Sequence, residues 1–340
     1  MKNPPNPLEK SILATIIYYD CLNCPLSAFE LWGKLIRPIP DRISQGKNSS
    51  FSLREVVFTL EESVFLSEYV GQKDGFYFLK GREGLVPFRI KAIKISEDKF
   101  KRLCRYRFVF LATVFIQGVF VSGSVAQGLA KDESDIDVLI ITTRGRLWTA
   151  RLFLTIWTSL LGIRRKGNKI KDRICLNHYI SSDALVIPFE SLYNAQSYRE
   201  LFPALSKNAV FERFFERNEW MGNYFINPFA MGKSKNYAIG QGSILLESLV
   251  RLDRRVDEFF LRGGIGNSVE ALAKKIQLFF IKKNPLTTLP GGRIAANDWQ
   301  LEFHPQSKEK QIIEEYNRKL RAFGLAEFYP EKDSGLLTKE

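Results

Sequence analysis

Apolar positions in the first part of the chain recur first at helical and then at strand-like intervals. Leu8, Ile12 and Ile16 have helical spacing, and Ser27-Ala-Phe-Glu30 and Ser52-Leu-Arg-Glu55 each form a capping-box pattern before an apolar run. The segment SEYVGQKDGFYFL then places two β-rich runs around an Asp-Gly turn. This pattern predicts a first domain of three helices and a hairpin over residues 1–82.

The next part of the chain alternates helices with short apolar strands. Periodicity predicts a helix over 96–114, strands at 118–121, 136–141 and 174–180, and a second helix over 147–161. Short strands interrupted by helices are typical of a mixed sheet covered by helices. The pattern therefore predicts an α+β core over residues 96–200.

Beyond residue 200 the apolar spacing becomes helical. Pro and Gly cluster at 227–242, which predicts a linker, and amphipathic helices are predicted over 243–261, 268–282 and 307–323. Residues 201–340 are therefore expected to form a mostly helical C-terminal region.

The net charge of +13 favours an anionic partner, but the charge is unevenly distributed. The first eighty residues, whose predicted elements resemble a winged helix, contain nine basic and nine acidic residues. Phosphate neutralisation supplies most non-specific affinity for DNA, so a neutral domain favours a docking role over DNA binding. A DNA-binding regulator remains the alternative. The densest basic segment, 144–173, has nine basic residues and one acid.

Other features of the sequence favour a cytoplasmic protein without a membrane partner. Four cysteines in 340 residues do not form a disulfide framework, and the start, MKNPPNPLEK, lacks the order of a signal peptide. The uncharged run at 108–130 is long enough to resemble a membrane span, but its polar residues favour a buried helix end, a strand and a loop. The lone Cys-x-x-Cys at Cys21 and Cys24 does not predict a zinc site.

Two acidic residues separated by one residue, Asp135 and Asp137, interrupt an apolar strand. Charges are seldom tolerated there without a partner, and alternation places both carboxylates on one side, where they can share a hard divalent cation. Gly123 permits close approach of the backbone, and Ser124 adds a hydroxyl beside exposed amide groups, as a phosphate requires. Together these residues favour a polyphosphate bridged to Mg²⁺.

The order Gly123-Ser124, ten residues, then Asp135-Ile136-Asp137 resembles the motif of the DNA polymerase β-like nucleotidyltransferase superfamily, in particular its minimal bacterial nucleotidyltransferase-domain proteins. The resemblance implies a mixed-sheet nucleotidyltransferase core between the winged-helix-like domain and the helical C-terminal region. It also implies that Gly123 and Ser124 hold a nucleoside triphosphate. Asp135 and Asp137 would be the catalytic residues and would carry a two-metal Mg²⁺ site.

The implied reaction transfers a nucleoside monophosphate from an NTP to a hydroxyl group of RNA, a small molecule or a protein. The superfamily pattern includes a third carboxylate on a later strand, where this sequence has ICLNHYI and the expected position is Asn177. An amide cannot act as a base at neutral pH. Asp172 and Asp183, at the two ends of the strand, are possible substitutes, and alternation places His178 on the side opposite Asn177.

Two questions stay open at the level of sequence. Because Asn177 replaces the third carboxylate, the alternative function is a catalytically weak or inactive module that binds a nucleotide or nucleic acid. The basic residues Arg164, Arg165 and Lys166 lie between the second and third predicted strands of the core. They form either a solvated surface or contacts to the triphosphate or acceptor.

Overall fold

The computed structural model describes residues 4–38, 50–227, 258, 261, 263–287, 293–305 and 307–328. The predicted linker at 227–242, apart from residue 227, and nearly all of the predicted helix at 243–261 lie outside these residues.

The described residues of the N-terminal part form four helices and a small antiparallel sheet. The helices are α1 (Pro7–Cys21), α2 (Ala28–Lys34), α3 (Leu53–Glu62) and α4 (Val64–Tyr69). The strands β1 (Leu26–Ser27), β2 (Val70–Lys73) and β3 (Phe76–Leu79) pair in the order β1-β3-β2. Ser27 and Ser52 form the predicted capping boxes, each with a glutamate three residues later. The identification of this part as winged-helix-like stays a prediction.

A long helix, α5 (Leu85–Arg105), connects the N-terminal part to the core and is followed by α6 (Arg107–Ala112). The predicted helix at 96–114 is therefore two helices, and the first begins well before residue 96. Pro87 lies in the first turn of α5, where a missing N–H breaks no helical hydrogen bond. Helix α5 runs through residue 96, where the core is predicted to begin.

The core is a six-stranded mixed sheet with helices packed against it. Its strands are β4 (Ile116–Val121), β5 (Ile136–Thr142), β6 (Ile174–Ser181), β7 (Phe202–Ser206), β8 (Arg293–Ala296) and β9 (Gln300–His304). They lie in the order β7-β4-β5-β6-β9-β8. Only β5 and β6 are parallel neighbours. The mixed sheet and the strands predicted at 118–121, 136–141 and 174–180 are confirmed.

The other helices of the described residues lie between or after these strands. They are α7 (Gly123–Ala126), α8 (Leu147–Leu160), α9 (Leu192–Arg199), α10 (Val210–Arg217), α11 (Gly264–Lys283) and α12 (Glu309–Ala322), with short 3-10 helices at Glu219–Tyr224, Pro285–Thr287 and Ala326–Phe328. The helices predicted at 147–161, 268–282 and 307–323 correspond to α8, α11 and α12. The C-terminal region also contributes β7, β8 and β9, which the expectation of a mostly helical region missed because these short strands pair with distant partners.

Alternate residues of β5 belong to two apolar clusters. Ile136, Val138 and Ile140 pack with α8 on one face of the sheet. Leu139 and Ile141 belong to a cluster that also contains apolar residues of α1 and α12. This alternation places Asp137 on the same face as Leu139.

None of the helices in the described part of the chain combines the length and apolar character that crossing a membrane requires. The uncharged run at 108–130 forms the end of α6, strand β4 and the turn around α7, as expected.

Candidate active site

The Gly-Ser turn lies against the side chain of Asp137. Strand β4 ends at Val121, and the N–H of Ser122 donates to the backbone carbonyl of Asp137 at 3.0 Å. Gly123 has φ +61°, and a Cβ atom there would lie 2.6 Å from Asp137 Oδ2. Both the backbone conformation and this contact require glycine. The partly exposed Ser124 follows at once, so the predicted phosphate-binding turn and the second carboxylate adjoin each other.

A buried lysine holds the loop that leads to Asp135. Lys99 Nζ donates to the backbone carbonyls of Asp132 at 3.0 Å and Ser134 at 2.8 Å, and it pairs with Asp172 at 2.7 Å. Lys99 is 3% exposed. Charge-assisted hydrogen bonds of this kind are stronger than neutral ones, so Lys99 fixes the loop immediately before the first carboxylate.

The residue that accompanies the two aspartates is Cys175. Ligand atoms of Asp135, Asp137 and Cys175 all lie within 4.8 Å of one another. In the parallel pairing of β5 with β6, Asp137 lies opposite Cys175, but Leu139 lies opposite His178. Strand β6 therefore contains one extra residue between these two pairs, a β-bulge.

The bulge changes the alternation on which the predicted positions of Asn177 and His178 were based. Asn177 Nδ2 lies 3.2 Å from His304 Nδ1, while Cys175 is the residue whose ligand atom lies with those of the two aspartates; Asn177 as a third position stays a prediction. The prediction that His178 faces away from Asn177 is wrong, since the His178 ring centroid lies 6.1 Å from that of the same His304. The alternation of side chains between the two faces of β6 fails here, because the extra residue moves each following side chain to the other face.

The two aspartates considered as substitutes have other partners. Asp172 binds Lys99 and also pairs with Arg102 at 3.3 Å. Asp183 pairs with Arg144 at 3.1 Å and accepts a hydrogen bond from Ser181. Neither belongs to the group formed by Asp135, Asp137 and Cys175.

The site strongly disfavours further negative charge. Burial and the neighbouring Asp135 raise the pKa of Asp137 to about 7, against an opposing hydrogen bond from Cys175 and the charge of Arg165. Burial, together with both aspartates, also raises the pKa of the Cys175 thiol far above its ordinary value. Cys175 is therefore protonated at neutral pH. A bound cation would relieve the repulsion between the two carboxylates.

One residue of the basic loop contacts this group. Arg165 Nη1 lies 2.6 Å from Asp135 Oδ2 and 3.7 Å from Cys175 Sγ. Arg164 instead forms a β-bridge with Ile174, and Lys166 is exposed and bridges to Lys169. Of the three predicted phosphate or acceptor contacts, the structure brings Arg165 to the aspartates, where its guanidinium supplies the positive charge.

A second buried cation, Arg89, binds the backbone that follows the turn. Its Nη1 donates to the backbone carbonyls of Gln127 and Gly128, and its Nη2 lies 2.6 Å from Glu30 Oε1 in α2. Arg89 is 3% exposed. Sequence reasoning missed Arg89, Lys99 and Cys175, because their partners are brought together only by the tertiary fold.

Comparison with known proteins identifies the central part of the chain. Residues 101–212 match the family model described as a nucleotidyltransferase domain. No curated protein and no solved structure gives a significant match to the chain. The match covers β4, β5, β6 and β7. It includes Asp135, Asp137 and Cys175, which we call the aspartate group. The central part of this chain is therefore similar to a nucleotidyltransferase domain, and nothing in the match favours the non-catalytic alternative.

Proposed function

We propose that the nucleotidyltransferase domain at residues 101–212 transfers a nucleoside monophosphate from an NTP to a hydroxyl acceptor and depends on Mg²⁺. The observation that carries the proposal is the close approach of the Gly123 backbone to Asp137, beside Asp135. It joins a turn suited to phosphate and a pair of carboxylates suited to a hard cation in one site.

The two aspartates fit the donor set that Mg²⁺ requires. They offer oxygen ligands, and burial together with the proximity of the Asp135 carboxylate raises the pKa of Asp137. When bound, Mg²⁺ stabilises negative charge on the attacking and leaving oxygens. Gly123 and Ser124 would bind and orient the phosphates, and Asp135 and Asp137 would hold the metal.

The third position distinguishes this site from one with three carboxylates. Cys175 donates a hydrogen bond to Asp137 and, as a neutral thiol, adds no negative charge. We therefore expect weaker binding of a second Mg²⁺ ion than in a three-carboxylate site, because less charge is available to hold it.

The basic loop gives the proposal a further contact. Arg165 is bound to Asp135, and its side chain is 43% exposed. Binding of Mg²⁺ at Asp135 would displace the guanidinium, which could then pair with a triphosphate oxygen. Arg164 and Lys166 remain proposed contacts to the triphosphate or to a polyanionic acceptor.

The decisive experiment measures transfer from α-labelled NTPs to RNA, small-molecule and protein acceptors. We expect Mg²⁺-dependent labelling of at least one acceptor class. Asp135→Asn and Asp137→Asn should each reduce it about 100-fold or more, since several kcal/mol of transition-state stabilisation are removed. Absence of any Asp135-dependent labelling across the panel would count against the proposal.

A first prediction concerns the third position. Cys175→Asp places a third carboxylate beside Asp135 and Asp137, and we expect tighter Mg²⁺ binding and faster transfer at limiting Mg²⁺. Asn177→Asp is the matched control, since Asn177 faces His304 and should not reproduce the gain. Titration of activity with Mg²⁺ measures both. An equal gain from Asn177→Asp would show that Asn177, and not Cys175, occupies the third position.

A further inference from the structure

The sequence contains two histidines, and the fold brings them together with a buried glutamate. His178 on β6 and Glu302 and His304 on β9 offer ligand atoms that lie within 4.8 Å of one another. We call these three residues the β6–β9 triad. The triad contains none of the residues of the aspartate group, so it requires an explanation of its own.

Antiparallel pairing of β6 with β9 creates the triad. His178 lies directly opposite Glu302, so their side chains project from the same face of the sheet. His304 follows Glu302 by two positions and therefore projects from that face as well. The two imidazole rings are 6.1 Å apart and nearly perpendicular, with an interplanar angle of 89°. Three groups rich in lone pairs thus converge from two neighbouring strands.

The strongest evidence for a ligand is the imidazole of His178. Its side chain lies in the interior, with 5% of the residue exposed, and Nε2 has no hydrogen-bond partner among the described residues. Burial of a polar atom without a hydrogen-bond partner is unfavourable. An ion coordinated by Nε2 would remove that cost.

Glu302 offers an oxygen atom, Oε1, that has only long polar contacts and lies near the two histidines. The residue is 1% exposed, and its Oε2 accepts a hydrogen bond from Gln300 at 2.9 Å. Its Oε1 has longer contacts, 3.4 Å to Arg293 Nη1 and 3.8 Å to His304 Nε2. Arg293 makes its shorter ion pair, 2.7 Å, with Glu309. Oε1 therefore retains lone-pair capacity for a cation.

Asn177 orients the second histidine. The contact of 3.2 Å joins Asn177 to His304 Nδ1, and the orientation of an amide is assigned from its hydrogen bonds. As described, Asn177 Nδ2 faces Nδ1 and can only donate to it. Rotation of the amide by 180° exchanges Nδ2 and Oδ1, so that Oδ1 would accept from Nδ1–H and the lone pair of His304 Nε2 would be directed toward Glu302. Histidines that bind metal commonly donate their other N–H to such a neighbour.

We propose that His178, Glu302 and His304 bind one Zn²⁺ ion. Two imidazoles and one carboxylate form a three-ligand zinc set with a fourth position left for water. Mg²⁺ prefers oxygen ligands, so the aspartate pair and the triad select different metals. The zinc ion ties β9, and the hairpin it forms with β8, to the central strand β6. The proposal stands independently of nucleotidyl transfer.

The test uses the full chain after removal of metals with a chelator. Calorimetric titration with Zn²⁺ should show one tight equivalent, and Zn²⁺ should raise the midpoint of thermal unfolding. His178→Gln and His304→Gln should each weaken Zn²⁺ affinity about 100-fold or more and abolish the thermal shift. Asn177→Ala should weaken it about 10-fold to 100-fold, as expected for a residue that orients a ligand.

The double variant Asp135→Asn/Asp137→Asn is the matched control and should retain the Zn²⁺ equivalent. Cobalt substitution of the unaltered protein adds a test that needs no folded variant: nitrogen and oxygen ligands give d–d bands without a thiolate charge-transfer band. A thiolate band would place the ion at one of the four free cysteines and overturn the proposal. It would also be overturned if the unaltered chain bound no Zn²⁺, or if folded His178→Gln bound it equally well.

Discussion

At the scale of single residues, Gly123 determines whether the phosphate-binding turn and the aspartates can lie together. Its positive φ and the 2.6 Å approach of a hypothetical Cβ to Asp137 Oδ2 exclude a side chain for two separate reasons. Gly145 has a similar φ of +65°, but a Cβ there would meet no atom within 4 Å. Substitution of Gly123 and of Gly145 by alanine therefore separates the effect of backbone strain from the effect of displacing Asp137.

Gly123→Ala should abolish Mg²⁺-nucleotide binding and transfer, because the methyl group must displace the Asp137 carboxylate. Gly145→Ala should cost about 1 kcal/mol of stability, the cost of the left-handed conformation, and leave nucleotide binding intact. Calorimetric titration with Mg²⁺ and a non-hydrolysable NTP, together with urea unfolding, measures both effects. If the two variants bound nucleotide equally well, the close approach to Asp137 would have no role in binding.

Arg165 makes a competing contact with Asp135, so its removal should have two opposite effects. Arg165→Gln should strengthen binding of Mg²⁺ alone, since no guanidinium has to be displaced. It should weaken binding of the Mg²⁺-NTP complex, because a positive charge for the triphosphate is lost. Calorimetry with Mg²⁺ and then with the nucleotide separates these effects. Lys166→Gln, an exposed neighbour, should leave binding of Mg²⁺ alone unchanged; an equal effect would exclude the specific contact.

At the scale of secondary-structure elements, Glu30 and Arg89 connect α2, α5 and the turn after α7. Burial alone would raise the pKa of Glu30, but Lys34, Arg89 and the amide of Ser27 together lower it below its ordinary value of 4.5. The unfolded chain therefore takes up this proton at a higher pH than the folded chain. The stabilisation by ionised Glu30 is complete above about pH 4.5 and is lost as the pH falls further.

Glu30→Gln should lower the free energy of unfolding by about 2 kcal/mol at pH 7, since it removes charge-assisted hydrogen bonds. The difference from the unaltered protein should narrow below pH 4.5. Glu55→Gln is the control, because Glu55 occupies the same capping-box position in α3 without a buried cation. Urea unfolding between pH 7 and pH 3.5 measures the difference. A difference independent of pH would exclude the ionised carboxylate as its source.

At the scale of the whole molecule, the first and last described helices share one apolar cluster with the sheet. The rings of Tyr18 in α1 and Tyr316 in α12 pack edge to face with centroids 5.3 Å apart, and both are buried. Lys319 in α12 also pairs with Asp20 in α1. The same cluster includes Leu139 of β5. The N-terminal part therefore does not have a separate apolar core.

Tyr316→Ala should lower the free energy of unfolding by about 3 kcal/mol, as expected for loss of a large buried side chain. Because the cluster is shared, far-ultraviolet circular dichroism and tryptophan fluorescence should report one transition at a lower urea concentration. Phe279→Ala removes a ring that is 54% exposed in α11 and should have a small effect. Separate transitions for the two probes in the unaltered protein would contradict the shared core.

The sequence by itself determined the local features of this protein. Helical spacing, capping boxes and apolar strands predicted most described elements, and the order from Gly123-Ser124 to Asp135-Ile136-Asp137 indicated the nucleotidyltransferase domain. These features depend on neighbours along the chain, whose geometry has a fixed period. Even the side of β5 that carries Asp137 follows from alternation.

Only the tertiary structure decided what lies beside those aspartates. A single extra residue in β6 reverses alternation, so Cys175 reaches the pair while Asn177 and His178 turn toward His304. The pairing of β6 with β9 joins residues at least 120 positions apart. No periodic pattern encodes a bulge or a partner so distant, because strand register is set by the packing of the whole sheet.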